Sequence, residues 1–269
     1  MKTIGVFTTS RAEFGLLSNL VDAIIQEEDL DFKLFIGGGH HVESQGKSVN
    51  EINERKYPWV PFDFFLNLDN EKTLTQSMGI ELFQLADIFA QHDFDFVCVL
   101  GDRIELLPIV QTAIVFRKPI IHLHGGEITE GVLDDQIRPM ITKASHLHFA
   151  ACEAYRQNII KMGEQPWRVF NVGALGINSI TNNNFIPKEE LFNKYKLDEK
   201  KPTVLLTYHP VTLEFAISAQ QQLKNVFQAL DNYDFQLLVT APNFDLDNHH
   251  LFEVIEQAVN SHRNYCFVR

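Results

Sequence analysis

The sequence predicts an α/β protein made of parallel sheets in two successive halves. Three observations carry this. Short apolar runs such as FVCVL at 96–100 and PIIHL at 119–123 read as strands covered on both faces. Between such runs, apolar residues recur at helical spacing, as in Leu16, Leu17, Leu20, Val21, Ile24 and Ile25. Polar turns rich in Gly, His, Asp and Glu follow the strands at their carboxyl ends, where ligands of open α/β sheets collect.

The first predicted strand is 3–8 (TIGVFT). Ser10 follows as a helix N-cap, with Glu13 three residues on completing a capping box. The turn lacks the glycines of a G-x-G-x-x-G fingerprint, which argues against a dinucleotide site of that kind. Arg11 beside a helix start suits a pyrophosphate or carboxylate, and an ordinary capped helix with a surface arginine accounts for the same residues equally well. A second strand, 32–36, ends in Gly37-Gly38-Gly39-His40-His41, read as a loop that can fold over a ligand. A third strand is expected at 60–66 and a helix at 73–90. After the strand at 96–100 comes Gly101-Asp102-Arg103-Ile104-Glu105, where Asp102 reads as a helix N-cap, a site residue or both.

A helix at 105–116 leads to the densest stretch of the chain, PIIHLHGGEITEGVLDDQIRPMITKASHLHF at 119–149. His122, His124, Glu127, Glu130, Asp134, Asp135 and Arg138 crowd around Gly125-Gly126, which lets the backbone approach a ligand closely. This is the composition of an acid/base site at a strand tip. Alternate histidines on a strand point to opposite faces, so His122/His124 and His146/His148 are not read as metal ligands. No metal or cofactor is expected. A helix at 134–144, a strand at 147–150, a helix at 153–162 and a strand at 169–172 complete the first half. The asparagine- and proline-containing stretch 178–187 is expected as a surface loop or domain boundary. Beyond it the rhythm restarts: helix 188–195, strand 203–207 ending in Tyr208-His209-Pro210, helix 213–230, strand 235–240, helix 248–261 and a strand from 265. The expected division is 1–175 and 176–269. A second half of about 90 residues ending on an apolar strand reads as a truncated sheet.

The formal net charge of −12 argues against a nucleic-acid partner. No apolar run reaches the length of a membrane span, and the N-terminus has no secretory pattern. Three widely spaced cysteines, Cys98, Cys152 and Cys266, fit reduced thiols in a cytoplasmic protein.

TTSRAEFGLL, LGDRIELL, HLHGGEITEGVLDDQIRPMITKASHLHF, RVFNVGALGINSI and TYHPVT occur in that order. With them the chain resembles the UDP-N-acetylglucosamine 2-epimerase family, in its hydrolysing branch, over essentially its whole length. The resemblance implies two Rossmann-like domains of the glycosyltransferase-B type with a nucleotide sugar between them, and a homodimer or higher homo-oligomer. It implies conversion of UDP-N-acetylglucosamine to N-acetylmannosamine and UDP, for sialic-acid-type sugars. The route is anti elimination to 2-acetamidoglucal, then hydration. Carried over by position, the family's acid after the fourth strand falls on Asp102, the carboxylate opening the next helix on Asp134 with Asp135 beside it, the second-domain histidine on His209, the first-turn arginine on Arg11, and a further histidine on His40. Many members have a glutamate where this chain has His124, in a segment like IEGGE, whereas Glu127 ends the segment in both versions. His124, Glu127 and Glu130 all remain candidates for the proton transfer at C2, with Glu130, Asp135 and Arg138 expected around the substrate. A non-hydrolysing epimerase and an inactive nucleotide-sugar-binding protein are the alternatives.

Overall fold

The computed structural model describes residues 1–41, 48–62, 70–182, 185–211, 216–242 and 249–268. In chain order the elements are β1 (Lys2–Thr8), α1 (Arg11–Ile25), β2 (Leu30–Ile36), α2 (Val49–Glu54), β3 (Trp59–Pro61), α3 (Glu71–Gln91), β4 (Phe96–Leu100), α4 (Leu106–Val115), β5 (Ile120–Leu123), α5 (Asp134–Ala144), β6 (Leu147–Ala150), α6 (Glu153–Lys161), β7 (Val169–Asn171) and α7 (Leu175–Asn182). There follow α8 (Lys188–Lys194), β8 (Thr203–Leu206), α9 (Ala219–Leu230), β9 (Gln236–Thr240), α10 (His249–Ser261) and β10 (Tyr265–Val268). They form two compact units: Met1–Asn67 with Glu71–Asn183, and Asn184–Arg269 with Leu68–Asn70.

The first unit is a seven-stranded sheet in the order β3-β2-β1-β4-β5-β6-β7, with every paired strand parallel. Its strands read as continuous apolar runs because both faces are covered. Val97 and Val99 join Phe7 and Phe35 in one core with Leu85 and Phe89 of α3, Ile109 of α4 and Ile137 and Ile141 of α5. Cys98 and Leu100, alternating with them, point to the opposite core with Val6, Leu34, Leu123 and Phe14, Leu17 and Val21 of α1. Phe7 and Phe35 stack with ring centroids 4.5 Å apart. The order of strands reverses between β1 and β4, and ligands of such sheets bind at this switch. The second unit has a parallel three-stranded sheet, β10-β9-β8, whose core includes Leu223, Phe227, Leu237, Val239, Leu251 and Ile255.

Several expectations shift. The asparagine-rich stretch is helical as far as Asn182, because Leu175 packs into the core beside Leu16 and that packing overrides asparagine's weak helix propensity. The expected third strand closes at Pro61, and most of the remainder of 60–66 lies outside the described residues. The helix expected at 213–230 starts at Ala219, where Ser218 accepts a hydrogen bond from the Gln221 amide; 213–215 lie outside the described residues. Among the described residues, no helix is long and apolar enough to cross a membrane.

Candidate active site

At the end of β1, the capping box forms as the spacing predicts, and it is buried. The Glu13 Oε2 atom accepts from the amides of Thr9 (2.7 Å) and Ser10 (2.9 Å) and from the Thr9 hydroxyl (2.9 Å). Burial raises the Glu13 carboxyl above its ordinary value. Arg11, one position into α1, points outward and pairs with Glu51 of α2 at 3.1 Å.

At the end of β2, the glycine run does not lie open. Gly37 sits so close to the Phe62 ring that an added Cβ would fall 2.3 Å from it, and Gly38–His41 winds into a 3-10 turn. That turn carries His40 inward to full burial, between the Thr8 hydroxyl (3.0 Å) and the Ser48 hydroxyl (2.8 Å). Burial lowers its pKa to about 3, so the ring is neutral. His40 thus braces β1 against the start of α2, and its side chain offers no surface to a ligand.

At the end of β4, Gly101 takes a positive φ of 80° and the chain turns to Asp102. The residue at the N-cap of α4 is Glu105, so Asp102 is free of capping duty. Its carboxylate is held by Arg138 Nη2, a pairing made across 36 residues. Burial raises Asp102 above its ordinary value even though the Arg138 cation opposes the shift. A carboxyl whose affinity for a proton burial has raised is a candidate for proton transfer.

Arg138 organises the rest. Only 3% exposed, it donates from Nη1 to the carbonyl of Glu127 (2.7 Å) and from Nη2 to the Thr129 hydroxyl (3.3 Å), with Asp135 Oδ1 3.6 Å from Nη1. Asp135 also accepts the Thr129 amide at 3.1 Å. The loop after β5 is therefore wrapped around one guanidinium supplied by α5.

His122 and His124 separate as strand alternation requires. His122 is buried, donates from Nε2 to the Gly101 carbonyl at 2.7 Å and accepts the Thr142 hydroxyl at Nδ1 (3.2 Å). Burial lowers its pKa to about 4, and it ties β5 to the turn that presents Asp102. His124, at the strand tip, adopts a left-handed φ of 60°, which is uncommon for a residue with a Cβ. Its Nδ1 lies 3.2 Å from Glu127 Oε1, and its Nε2 lies 3.3 Å from the Leu175 amide. The hydrogen bond from His124 is the main cause lowering Glu127 below its ordinary value. Gly126 (φ 80°) lets this loop pass over α6, where an added Cβ would meet the Tyr155 carbonyl at 2.3 Å.

The structure thus joins Asp102, Arg138, Asp135, Glu127 and His124 in one connected set. Asp134 stands half-buried in the first turn of α5, and Glu130 is exposed in the preceding loop. His209 is exposed just after β8, in the second unit. Sequence reasoning missed the roles of Thr129 and of the Leu175 amide, neither of which carries a compositional signal. It also missed a buried acidic group behind the strand tips. Glu105 is 1% exposed and accepts from Arg103 Nε (3.1 Å) and Nη2 (2.7 Å), while Glu81 of α3 is fully buried with no hydrogen-bond partner on either oxygen among the described residues. Burial first, then Glu105 and Glu13, raises Glu81 well above the ordinary carboxyl range. A carboxyl raised on folding contributes stability at low pH that is lost as pH rises through its folded pKa. Replacing Glu81 by Leu is therefore expected to stabilise the protein by about 1–3 kcal/mol near pH 8, the cost of an unpartnered buried polar group. The gain shrinks toward about pH 5, and urea melts at the two pH values measure it.

A parallel α/β unit with an acid/base cluster at its switch point defines an enzyme-like, ligand-binding architecture. A family model described as UDP-N-acetylglucosamine 2-epimerase matches residues 22–267. The chain belongs to that family. It is 32% identical over 266 residues to the GDP/UDP-N,N'-diacetylbacillosamine 2-epimerase (hydrolyzing) of Campylobacter jejuni, covering 98% of this chain and 67% of that one. It is 34% identical over 256 residues to the UDP-N,N'-diacetylbacillosamine 2-epimerase (hydrolyzing) of Legionella pneumophila, covering 94% and 67%. Among solved structures, the S. aureus MnaA-UDP complex superposes with a TM-score of 0.78 at 19% identity, covering 100% of this chain and 69% of that one. The Neisseria meningitidis UDP-GlcNAc 2-epimerase bound to UDP-GlcNAc gives 0.78 at 14%, covering 100% and 72%. These likenesses establish the glycosyltransferase-B type of fold and group the chain with hydrolysing members of the family. The chain spans about two thirds of the length of the relatives it matches.

Proposed function

We propose that the protein is a hydrolysing 2-epimerase of a UDP-linked 2-acetamido sugar. The observation that carries this reading is the Asp102–Arg138 pair, which keeps a raised-pKa carboxyl at the strand tip and joins it to Glu127 and His124. In the reaction, a base removes the proton on C2 as the C1–O bond to UDP breaks, leaving a C1–C2 double bond. Water then adds at C1 and a proton returns to C2 on the other face, so substrate and water become free sugar and UDP. Two proton-transfer groups are needed, and Asp102 and the His124–Glu127 pair are assigned to them. Asp134 is assigned with them to the acid/base chemistry, Asp135, Glu130 and Arg138 to the substrate's surroundings, and Arg11 to the phosphates. His209 is assigned a catalytic role, and the active form is a homodimer or higher homo-oligomer.

UDP-N-acetylglucosamine, giving N-acetylmannosamine, is one substrate. UDP-N,N'-diacetylbacillosamine is favoured by the Campylobacter and Legionella relatives at 32% and 34% identity, whereas polysialic acid biosynthesis protein P7 of Escherichia coli, at 32%, and the UDP-N-acetylglucosamine 2-epimerase of Neisseria meningitidis, at 26%, favour the sialic-acid-type substrate. Proton NMR in D2O with each nucleotide sugar tests the reading. Free UDP with a sugar deuterated at C2 is expected from one of them. A deuterated UDP-sugar epimer without free UDP would mean the non-hydrolysing reaction, and saturation transfer to bound ligand without turnover would mean an inactive binding protein.

A further inference from the structure

His124 is held at both ring nitrogens, and the two holds have different chemical signs. A backbone N–H can only donate, so the Leu175 amide 3.3 Å from Nε2 requires a lone pair there. The proton of the neutral ring must then sit on Nδ1, where the Glu127 carboxylate, 3.2 Å away, accepts it. A left-handed backbone at the strand tip aims the ring this way. The amide is no ordinary one. Leu175 opens α7, and the first amides of a helix have no partner within it, so His124 serves as an external acceptor for that helix end. α7 is also the last helix of the first unit before the chain passes into the second.

We propose that the Leu175 amide is a latch on His124. It fixes the Nδ1–H tautomer and occupies the atom, Nε2, through which the ring would take up a proton. Once Nε2 carries a proton it becomes a donor facing a donor, so uptake requires the first turn of α7 to withdraw. Proton exchange by His124 is thereby tied to the connector that leads to the second unit. The gating half of this inference rests on the reaction proposed above, and the tautomer half does not.

Leu175→Pro tests both. Proline is tolerated at the first position of a helix, where it removes the amide and leaves the helix intact. Leu175→Ala keeps the amide and loses the leucine's packing against the core, so it is the control. Nitrogen-15 NMR of histidine-labelled full chain, with the His124 signal identified by its loss in His124→Gln, is expected to show Nδ1 protonated and Nε2 bare in the wild type and in Leu175→Ala. In Leu175→Pro the two tautomers should mix. An Nε2–H tautomer in the wild type overturns the inference without recourse to any variant, as does a Leu175→Pro spectrum identical to that of Leu175→Ala. For the gate, deuterium entry at C2 of the nucleotide sugar should be roughly 2- to 12-fold faster in Leu175→Pro than in Leu175→Ala, the range set by one net hydrogen bond. Equal or slower entry with mixed tautomers overturns the latch. If no form of the protein exchanges deuterium, the proposed reaction fails and the NMR outcome still decides the tautomer.

Discussion

Asp102→Asn is expected to lower the rate of C2 proton exchange by about 10²- to 10⁴-fold while leaving the fold in place. Asparagine keeps a side-chain oxygen to accept from Arg138 Nη2. Arg138 also retains the Glu127 carbonyl at 2.7 Å and the Asp135 carboxylate at 3.6 Å, so the loop after β5 keeps its anchor. What is lost is a carboxyl whose pKa burial has raised despite the adjacent cation. The measurement is deuterium wash-in by proton NMR, with a thermal melt on the same sample. A rate within about threefold of wild type would remove Asp102 from the chemistry.

Arg138→Met is expected to cost about 3 kcal/mol of stability at neutral pH, the lower end of what breaking a buried ion pair costs. The lower end applies because about a fifth of the Asp102 side chain still meets water. Removing this cation leaves burial opposed only by the weaker influence of Arg103, so the folded-state pKa of Asp102 rises further. By linkage the defect then grows as pH rises above the usual carboxylate range and shrinks on acidification. Urea melts across that range measure it. Repeating Arg138→Met in the Asp102→Asn background should recover much of the loss, because no carboxylate is left stranded. Equal costs in both backgrounds would mean that Arg138 acts through the Glu127–Thr129 loop alone.

The alternation of elements was legible in the residues alone. Strands such as FVCVL and helices such as 11–25 are local patterns, and period-2 or period-3.6 burial is written into neighbouring residues. The capping box of Ser10 and Glu13 was legible for the same reason: its partners lie three residues apart. So was the candidate site in outline, since Asp102, His124, Glu127 and Asp135 each follow a strand tip or open a helix.

Which of these groups touch one another follows from long-range packing. Arg138 and Asp102 are 36 residues apart, and their pairing depends on β4 and β5 lying side by side with α5 packed over them. His40 reads as a loop histidine until the fold carries its ring between Thr8 and Ser48. Glu81 sits on an amphipathic helix among residues that could equally face water, and its burial follows from the crossing of α3 over the sheet. Hydrogen-bond partners and burial are properties of contacts between distant segments. A motif can state that a histidine follows a strand, but the amide of Leu175, 51 residues on, assigns its proton.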